Sequence, residues 1–356
     1  MFRPSRRADA IVFTLVLLAT GYFHQGGGWN QNSRFALVRA IVEDGMFPID
    51  SHLIYERAGD GDESTRDLVR LPVRNGNFER GGVEYALAWR AQSGTLLPVD
   101  PLAAGARKLV AVDDVAATGD VAYFDGHFHP NKAPGTSFLA VPAYALLRGI
   151  ESLAGLRPDS WAVLTVNAWL VSMLSVGLAT AFGAVLVLRL ARGLGSEIAA
   201  RMTALAFAFS TMALPYGTFL FEHNLIAVAL VASLYCIERA RALAPRPTSV
   251  DPMAARFFQA AGASAGFAAI TNYTMAAFVP VFALFLFART RSTRGLACYA
   301  LGVLWPFLAI CAYNVACFGT PFTTNYAYQS SMFSNESRVL GVFALPRIDV
   351  LLLLLF

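Results

Sequence analysis

Apolar runs at 8–24, 160–188, 199–237, 257–288 and 295–317 dominate this chain. A membrane-crossing helix takes about 20 mainly apolar residues. Lysine and arginine gather on the cytoplasmic flanks of such helices. Together these two rules leave few arrangements open. Arg3, Arg6 and Arg7 precede the first run, so the N-terminus is expected in the cytoplasm. The run is read as an uncleaved first span, because Ala19-Thr20-Gly21 is a poor processing site. The second run ends in Arg189, Arg192 and Arg201 and so runs inward. Residues 199–237 are too long for one crossing, break at Pro215-Tyr216-Gly217 and have basic flanks on both sides, which predicts two crossings. Residues 257–288 repeat that pattern around Asn272-Tyr273, and 295–317 cross outward again.

Composition agrees with the membrane class: of 356 residues, 56% are hydrophobic and only 15% are charged. The net charge of +4 is small, and the arginines flank apolar runs instead of forming a basic patch among aromatics. No nucleic-acid partner is expected. Cys236, Cys298, Cys311 and Cys317 lie in or beside apolar runs without metal-ligand spacing, so no disulfide framework is implied.

The expected fold is an all-α polytopic membrane protein with seven or eight transmembrane helices. The first helix lies within 1–24, a large extracytoplasmic loop spans 25–158, a helix bundle occupies 159–317, and a second outer loop covers 318–340. Residues 341–356 start an eighth span, expected to be cut because 351–356 end in an apolar run. In the first loop, 32–44 reads as an amphipathic helix capped by Asn32 or Ser33 and closed at Gly45. Its Phe35, Val38, Ile41 and Val42 stripe is expected to lie on the bilayer surface. A second amphipathic helix, 136–155, interrupted by Pro142, is assigned to the same interface. As a span, it would put every later basic loop outside. A small β-containing insert is expected over 53–115. Asn75-Gly76 and Asp125-Gly126 mark two hairpins, the second returning Asn131-Lys132-Ala133-Pro134-Gly135 to the membrane.

On this map Asn30, Asn32, Arg34, Asp44, Asp50, Lys132, Glu222, His223, Asn272 and Tyr273 all fall on one side. A pore or carrier places its polar groups near the bilayer midplane. Polar groups collected at one face predict an interfacial active site.

The order of elements resembles the GT-C class of polyprenyl-phosphate-dependent glycosyltransferases, in the branch of the protein O-mannosyltransferases and the aminoarabinose transferase of lipid A. Gln31-Asn32-Ser33-Arg34-Phe35 resembles the family's Asp-Glu-x-Arg-Tyr motif. Asn131-Lys132-Ala133-Pro134-Gly135 resembles its acidic-Lys-Pro-Pro motif, and Glu222-His223-Asn224 stands where the family often has an acidic residue. The resemblance implies an inverting transfer of a sugar from a polyprenyl-phosphate donor to an acceptor hydroxyl on a glycan, lipid or protein. It implies a place among the lipids of a bacterial inner membrane, and it leaves room for a divalent metal. Lys132 and Arg34 would hold the donor phosphate.

One departure matters. Gln31 and Asn32 stand at the family's acid positions, and an amide cannot serve as general base. Asp50, Asp44, Glu222 and Asp120 compete for that role. Asp50 and Glu222 are the expected catalytic carboxylates, with Asn32, Asp44, Asn131 and His223 accessory. His127 and His129 alternate on one strand face but form a weak metal signal by themselves. Two other readings stay open: a non-enzymatic flippase of lipid-linked sugars, using Asn167, Thr203 and Ser210 inside the spans, and a degenerate GT-C protein that binds lipid without turnover.

Overall fold

The computed structural model describes residues 6–26, 28–52, 118, 120–158, 160–243 and 251–329, with the backbone of short strands between 55 and 98 and at 338–344. The protein is mostly helical. Among the described residues three helices, Ala162–Ala191, Tyr273–Thr290 and Thr293–Phe318, are long and apolar enough to cross a membrane. That is fewer than the seven or eight expected. The first helix, α1 (Arg6–Tyr22), has only 17 residues. In the 199–237 run, α6 (Glu197–Phe209) stops at Ser210. After the short α7 (Ala213–Gly217), α8 (Glu222–Leu243) is polar at both ends, with its mainly apolar part at 225–237, interrupted by Ser233.

Helix directions follow from end-to-end contacts. Before the bundle come α2 (Trp29–Arg39) and α3 (Gly135–Leu153). α4 (Trp161–Ser172) continues through a π-helical turn, Met173–Gly177, into α5 (Leu178–Ala191). Asp9 at the start of α1 pairs with Arg189 and Arg192 at the end of α5. At the other end, Trp169 Nε1 donates to the Gly21 carbonyl at 2.8 Å. The two are therefore antiparallel, and everything between them begins and ends on one side. α5 and α8 run parallel, since Asn224 donates to Thr180 and a Cβ on Gly183 would strike Val228 four residues further on.

The last three helices are α9 (Pro252–Thr271), α10 (Phe278–Thr290) and α11 (Thr293–Phe318). The 3-10 turn Tyr273–Ala277 separates the first two, where the Asn272-Tyr273 break was expected. Packing of α9 on α11 is set by glycine. A Cβ on Gly262 would lie 1.9 Å from the Tyr299 carbonyl oxygen, and one on Gly302 2.0 Å from that of Gln259. Small residues four apart (Gly262 and Gly266) let two backbones approach, the main source of helix affinity where lipid removes the hydrophobic drive. Glu238 near the end of α8 meets Arg289 near the end of α10, so those ends share a side. Arg189, Arg192, Arg241 and Arg289 thus mark one end of the bundle.

The outer segments sit at the opposite end and differ from expectation in three ways. First, α2 begins at Trp29, so Asn32 and Ser33 lie inside it and cap nothing; Gln31 Oε1 instead accepts the Gly28 N–H at 2.8 Å, the N3 half of a capping box. The helix continues as a π turn, Ala40–Asp44, and closes on Gly45 at φ 68°, where glycine was expected. Second, α2 does not lie on a surface. Residues 32–39 are all buried, with Phe35 and Val38 against Tyr144 of α3 and Leu37 against the other core. Third, α3 runs straight through Pro142, while Leu146, Ile150 and Leu153 stay exposed on its far side.

Asp125-Gly126 forms the predicted turn, both residues at positive φ, between strands Val121–Phe124 and His127–Pro130. Asn75-Gly76 and most of the 53–115 insert lie outside the described residues, as does 345–356. The strands flanking Asn75-Gly76 do not pair with each other: Leu68–Arg70 pairs with Tyr55–Arg57, and Phe78–Arg80 with Val83–Tyr85.

Replacing Gly262 by Val should force α9 and α11 apart and cost about 1–3 kcal/mol, the usual penalty for overpacking. Thermal unfolding in detergent measures it, and an unchanged midpoint would contradict this packing.

Candidate functional site

Polar side chains converge where α2, the 121–130 hairpin, the start of α3 and the start of α8 meet. Arg34 is at the centre, 1% exposed. Its guanidinium pairs with Glu222 at the first residue of α8 and with the Asn30 side chain one turn back. It also donates to the Asn30 carbonyl at 3.1 Å and lies 5.0 Å from the Phe221 ring centroid. Burial pulls its pKa down to about 10, partly countered by Tyr326 and Asp120, so it stays cationic at neutral pH.

Lys132 leaves the end of the hairpin and pairs with buried Asp120 at 3.1 Å. Burial lowers its pKa, Asp120 raises it, and Arg34 lowers it again. That last coupling places the two cations in one field. The backbone around Lys132 is fixed: Asn325 donates to the Pro130 and Lys132 carbonyls at 2.8 and 2.6 Å, and Asn131 N–H donates to the Asp120 carbonyl. Tyr273 in turn donates to Asn325. Ser33 donates to the Asp120 carbonyl at 2.7 Å, and Ser137 to the Arg34 carbonyl at 2.9 Å.

Several buried polar atoms here have no hydrogen-bond partner among the described residues. They are both side-chain atoms of Asn131, the Thr136 hydroxyl and Arg34 Nε. Each such group costs about 1–3 kcal/mol when left unpaired. All three residues belong to the cluster or its next turn.

The other expected residues lie elsewhere. Asp50 accepts the Phe128 N–H at 2.7 Å and pairs with His127 at 2.7 Å. Burial raises its pKa, and those two bonds lower it. It latches the far part of the hairpin. Phe128 stands in the strand His127–Pro130, four residues before Lys132, which follows the strand's end at Pro130. Asp44 pairs with buried His52 at 2.7 Å, across Gly45. His223 is exposed and packs on the Tyr216 and Phe221 rings. Asn167 is buried, whereas Thr203 and Ser210 are exposed. His129, on the same strand face as exposed His127, is buried against Phe318.

Among the described residues no three His, Cys, Asp or Glu side chains come together as a metal-ligand set. Glu222 is engaged by Arg34 through one carboxylate oxygen.

A separate crevice opens beside the cluster, lined by His24, Gln31, Asn32, Phe35, Ser172 and Phe219. The sequence reading missed His24, Asn325 and Tyr326. His24 had one usable signal, its place directly after the first apolar run. Asn325 had none, since its contacts lie 195 residues away in the chain.

Comparison with protein-family models, with curated proteins and with solved structures finds no match to this chain.

Two outcomes follow from this geometry. Glu222→Ala leaves a buried guanidinium unpaired and should cost about 3–5 kcal/mol. The double variant Arg34→Met/Glu222→Leu should recover most of that loss in thermal unfolding; a double variant as unstable as the single would contradict a simple buried pair. Second, burial, and then the nearby His127, hold the His129 pKa down to about 4. The unfolded chain therefore binds more protons than the native one between pH 4 and 6.5. Stability is fully present above pH 6.5 and should fall on acidification through that window. His129→Gln should flatten the acid limb of a denaturation series, and an identical limb would contradict the assignment.

Proposed function

We propose that this protein is a membrane glycosyltransferase of the GT-C type, transferring a sugar from a polyprenyl-phosphate donor to an acceptor hydroxyl. The supporting observation is the buried cluster itself: two cations, Arg34 and Lys132, beside polar atoms of Asn131 and Thr136 without partners. A phosphate supplies what such a cluster lacks, namely acceptor oxygens and negative charge. The first turn of α3, Gly135-Thr136-Ser137, follows Lys132 and adds the positive end of a helix.

The orientation proposed is the one read from charge. The arginine-marked end of the bundle faces the cytoplasm, and the cluster faces outward. The seven crossings are α1, the α4–α5 helix, α6 with α7, α8, α9, α10 and α11; the four with less than a full apolar span would rely on neighbouring helices and on local thinning of the bilayer. A lipid-borne donor could then reach the cluster from the bilayer, its phosphate at the interface.

Each residue has a distinct part. Lys132 is a point charge for the phosphate, and Arg34 a fork that can turn from Glu222 toward phosphate oxygens. Asp120 and Glu222 neutralise the two cations while no phosphate is bound. Asp50 holds the hairpin that carries Lys132. As the phosphate leaves with its lipid, both cations stabilise the growing charge, a larger effect in a dry site than in water. A flippase is the weaker reading, because Thr203 and Ser210 are exposed and only Asn167 of the three proposed groups is buried.

Lys132→Ala should reduce sugar transfer from a polyprenyl-phosphate hexose at least tenfold, since a charge-assisted hydrogen bond contributes about 1.5–3 kcal/mol. Radiolabel transfer in proteoliposomes measures it. Unchanged turnover in the variant would remove Lys132 from the mechanism.

A further inference from the structure

The crevice beside the cluster contains a group that nothing above uses. His24 follows α1 and is half-buried. Its Nδ1 lies 2.8 Å from the Thr218 carbonyl oxygen. A carbonyl can only accept, so Nδ1 carries the hydrogen and Nε2 keeps its lone pair. No hydrogen bond to Nε2 is present among the described residues. Burial lowers the His24 pKa below the usual value, and the Thr218 carbonyl raises it again, leaving the ring neutral at pH 7. The other polar liners, Gln25, Gln31, Asn32 and Ser172, do not take up a proton at this pH, and among the described residues no Asp, Glu, Lys or Arg lines the crevice. On the neighbouring elements, Arg34 of α2 and Glu222 of α8 pair with each other, and His223 of α8 is exposed. Phe35, Phe219 and Leu220 form its apolar wall. The enclosed part has room for about one or two water-sized groups, the size of a hydroxyl.

The crevice also lies beside the cation cluster. Gln31 precedes Arg34 by three residues on α2, and Phe219-Leu220 run straight into Phe221-Glu222. A hydroxyl in the crevice and a phosphate on Arg34 would sit on adjacent faces of the same helix.

We propose that His24 Nε2 is the general base of this enzyme and that the crevice, lined also by Gln31 and Asn32, takes an uncharged acceptor hydroxyl. This rests on the glycosyltransferase reading. The acceptor O–H proton passes to Nε2 as the acceptor oxygen bonds to the anomeric carbon. The bond from that carbon to the phosphate oxygen breaks, and its electron pair leaves with the polyprenyl phosphate. The imidazolium then gives its proton to water. An imidazole thereby takes over a role that the amides at 31 and 32 cannot fill. It also explains why Glu222, paired with Arg34, and Asp50, tied into the hairpin, need not be free.

The test uses the full chain in nanodiscs. His24→Asn keeps a donor for the Thr218 carbonyl and removes the base. Transfer from a polyprenyl-phosphate hexose should fall about 100-fold, the scale of general-base loss. The acid limb of the wild-type pH profile, with an apparent pKa below 6.5, should disappear in the variant. Independently of activity, ¹⁵N-histidine NMR of the wild type should show His24 protonated at Nδ1 and neutral at pH 7; only five histidines need assignment, and the variant identifies the signal. A His24→Asn enzyme with the wild-type rate and acid limb overturns the proposal while leaving the glycosyltransferase reading intact. So does a ring protonated at Nε2. A wild type that transfers no sugar from any polyprenyl-phosphate hexose overturns the glycosyltransferase reading and the base role with it.

Discussion

A guanidinium taken out of water is among the most expensive groups a protein can bury, and Arg34 is buried almost completely. It is tolerable only because Glu222, Asn30 and the Phe221 ring meet it from two sides. The pair links residues 188 positions apart in the chain. It therefore pins α2 to the mouth of α8 and fixes how α2 is rotated. With Arg34 turned toward α8, Leu37 turns into the core beneath the hairpin, and Gln31 and Phe35 line the crevice toward α1 and α4. Ser33 and Ser137 then tie the hairpin end and α3 to the same helix. The position of Lys132 follows from that framework, with Asn325 closing it from the far end of the chain.

A second buried pair repeats the theme one turn on. Arg39 bonds Glu43 at 2.7 Å, and Tyr144 of α3 donates to the same carboxylate at 2.5 Å. Burial raises the Tyr144 pKa, so its phenol remains a donor. Two arginines of one short helix are thus internally neutralised, in different ways. Arg39 meets a partner from its own helix and has a structural part. Arg34 meets one from another element, beside a lysine and unpartnered amide atoms.

Much of this was legible from sequence because membrane rules are coarse and strong. The break at Asn272-Tyr273 fell where an apolar run exceeded one crossing, and the 199–237 run breaks on either side of Pro215-Tyr216-Gly217, which itself ends the short helix α7; Asp125-Gly126 turns as its residue types require. The α2 stripe was misread for a definite reason. Periodicity identifies an apolar face, but it cannot say whether lipid or protein covers it, and here the opposite face is buried too. Pro142 was misread because a proline removes one helical bond without ending a helix that neighbours hold in place. Distant pairings such as Arg34–Glu222 and Asn325–Lys132 leave no local mark at all. Asp50 looked free because its partner, the Phe128 N–H, is a backbone group that composition does not reveal.

The central claim is that the Arg34–Lys132 cluster binds a lipid phosphate. Phosphorus NMR of a polyprenyl phosphate added to the protein in nanodiscs tests it most directly, with an uncharged polyprenol as competitor. The account predicts a shifted phosphorus signal that is lost with Lys132→Ala and is not displaced by the polyprenol. A signal unchanged by that substitution, or displaced equally well by the polyprenol, would mean that the protein recognises the chain and not the phosphate, and would contradict the account.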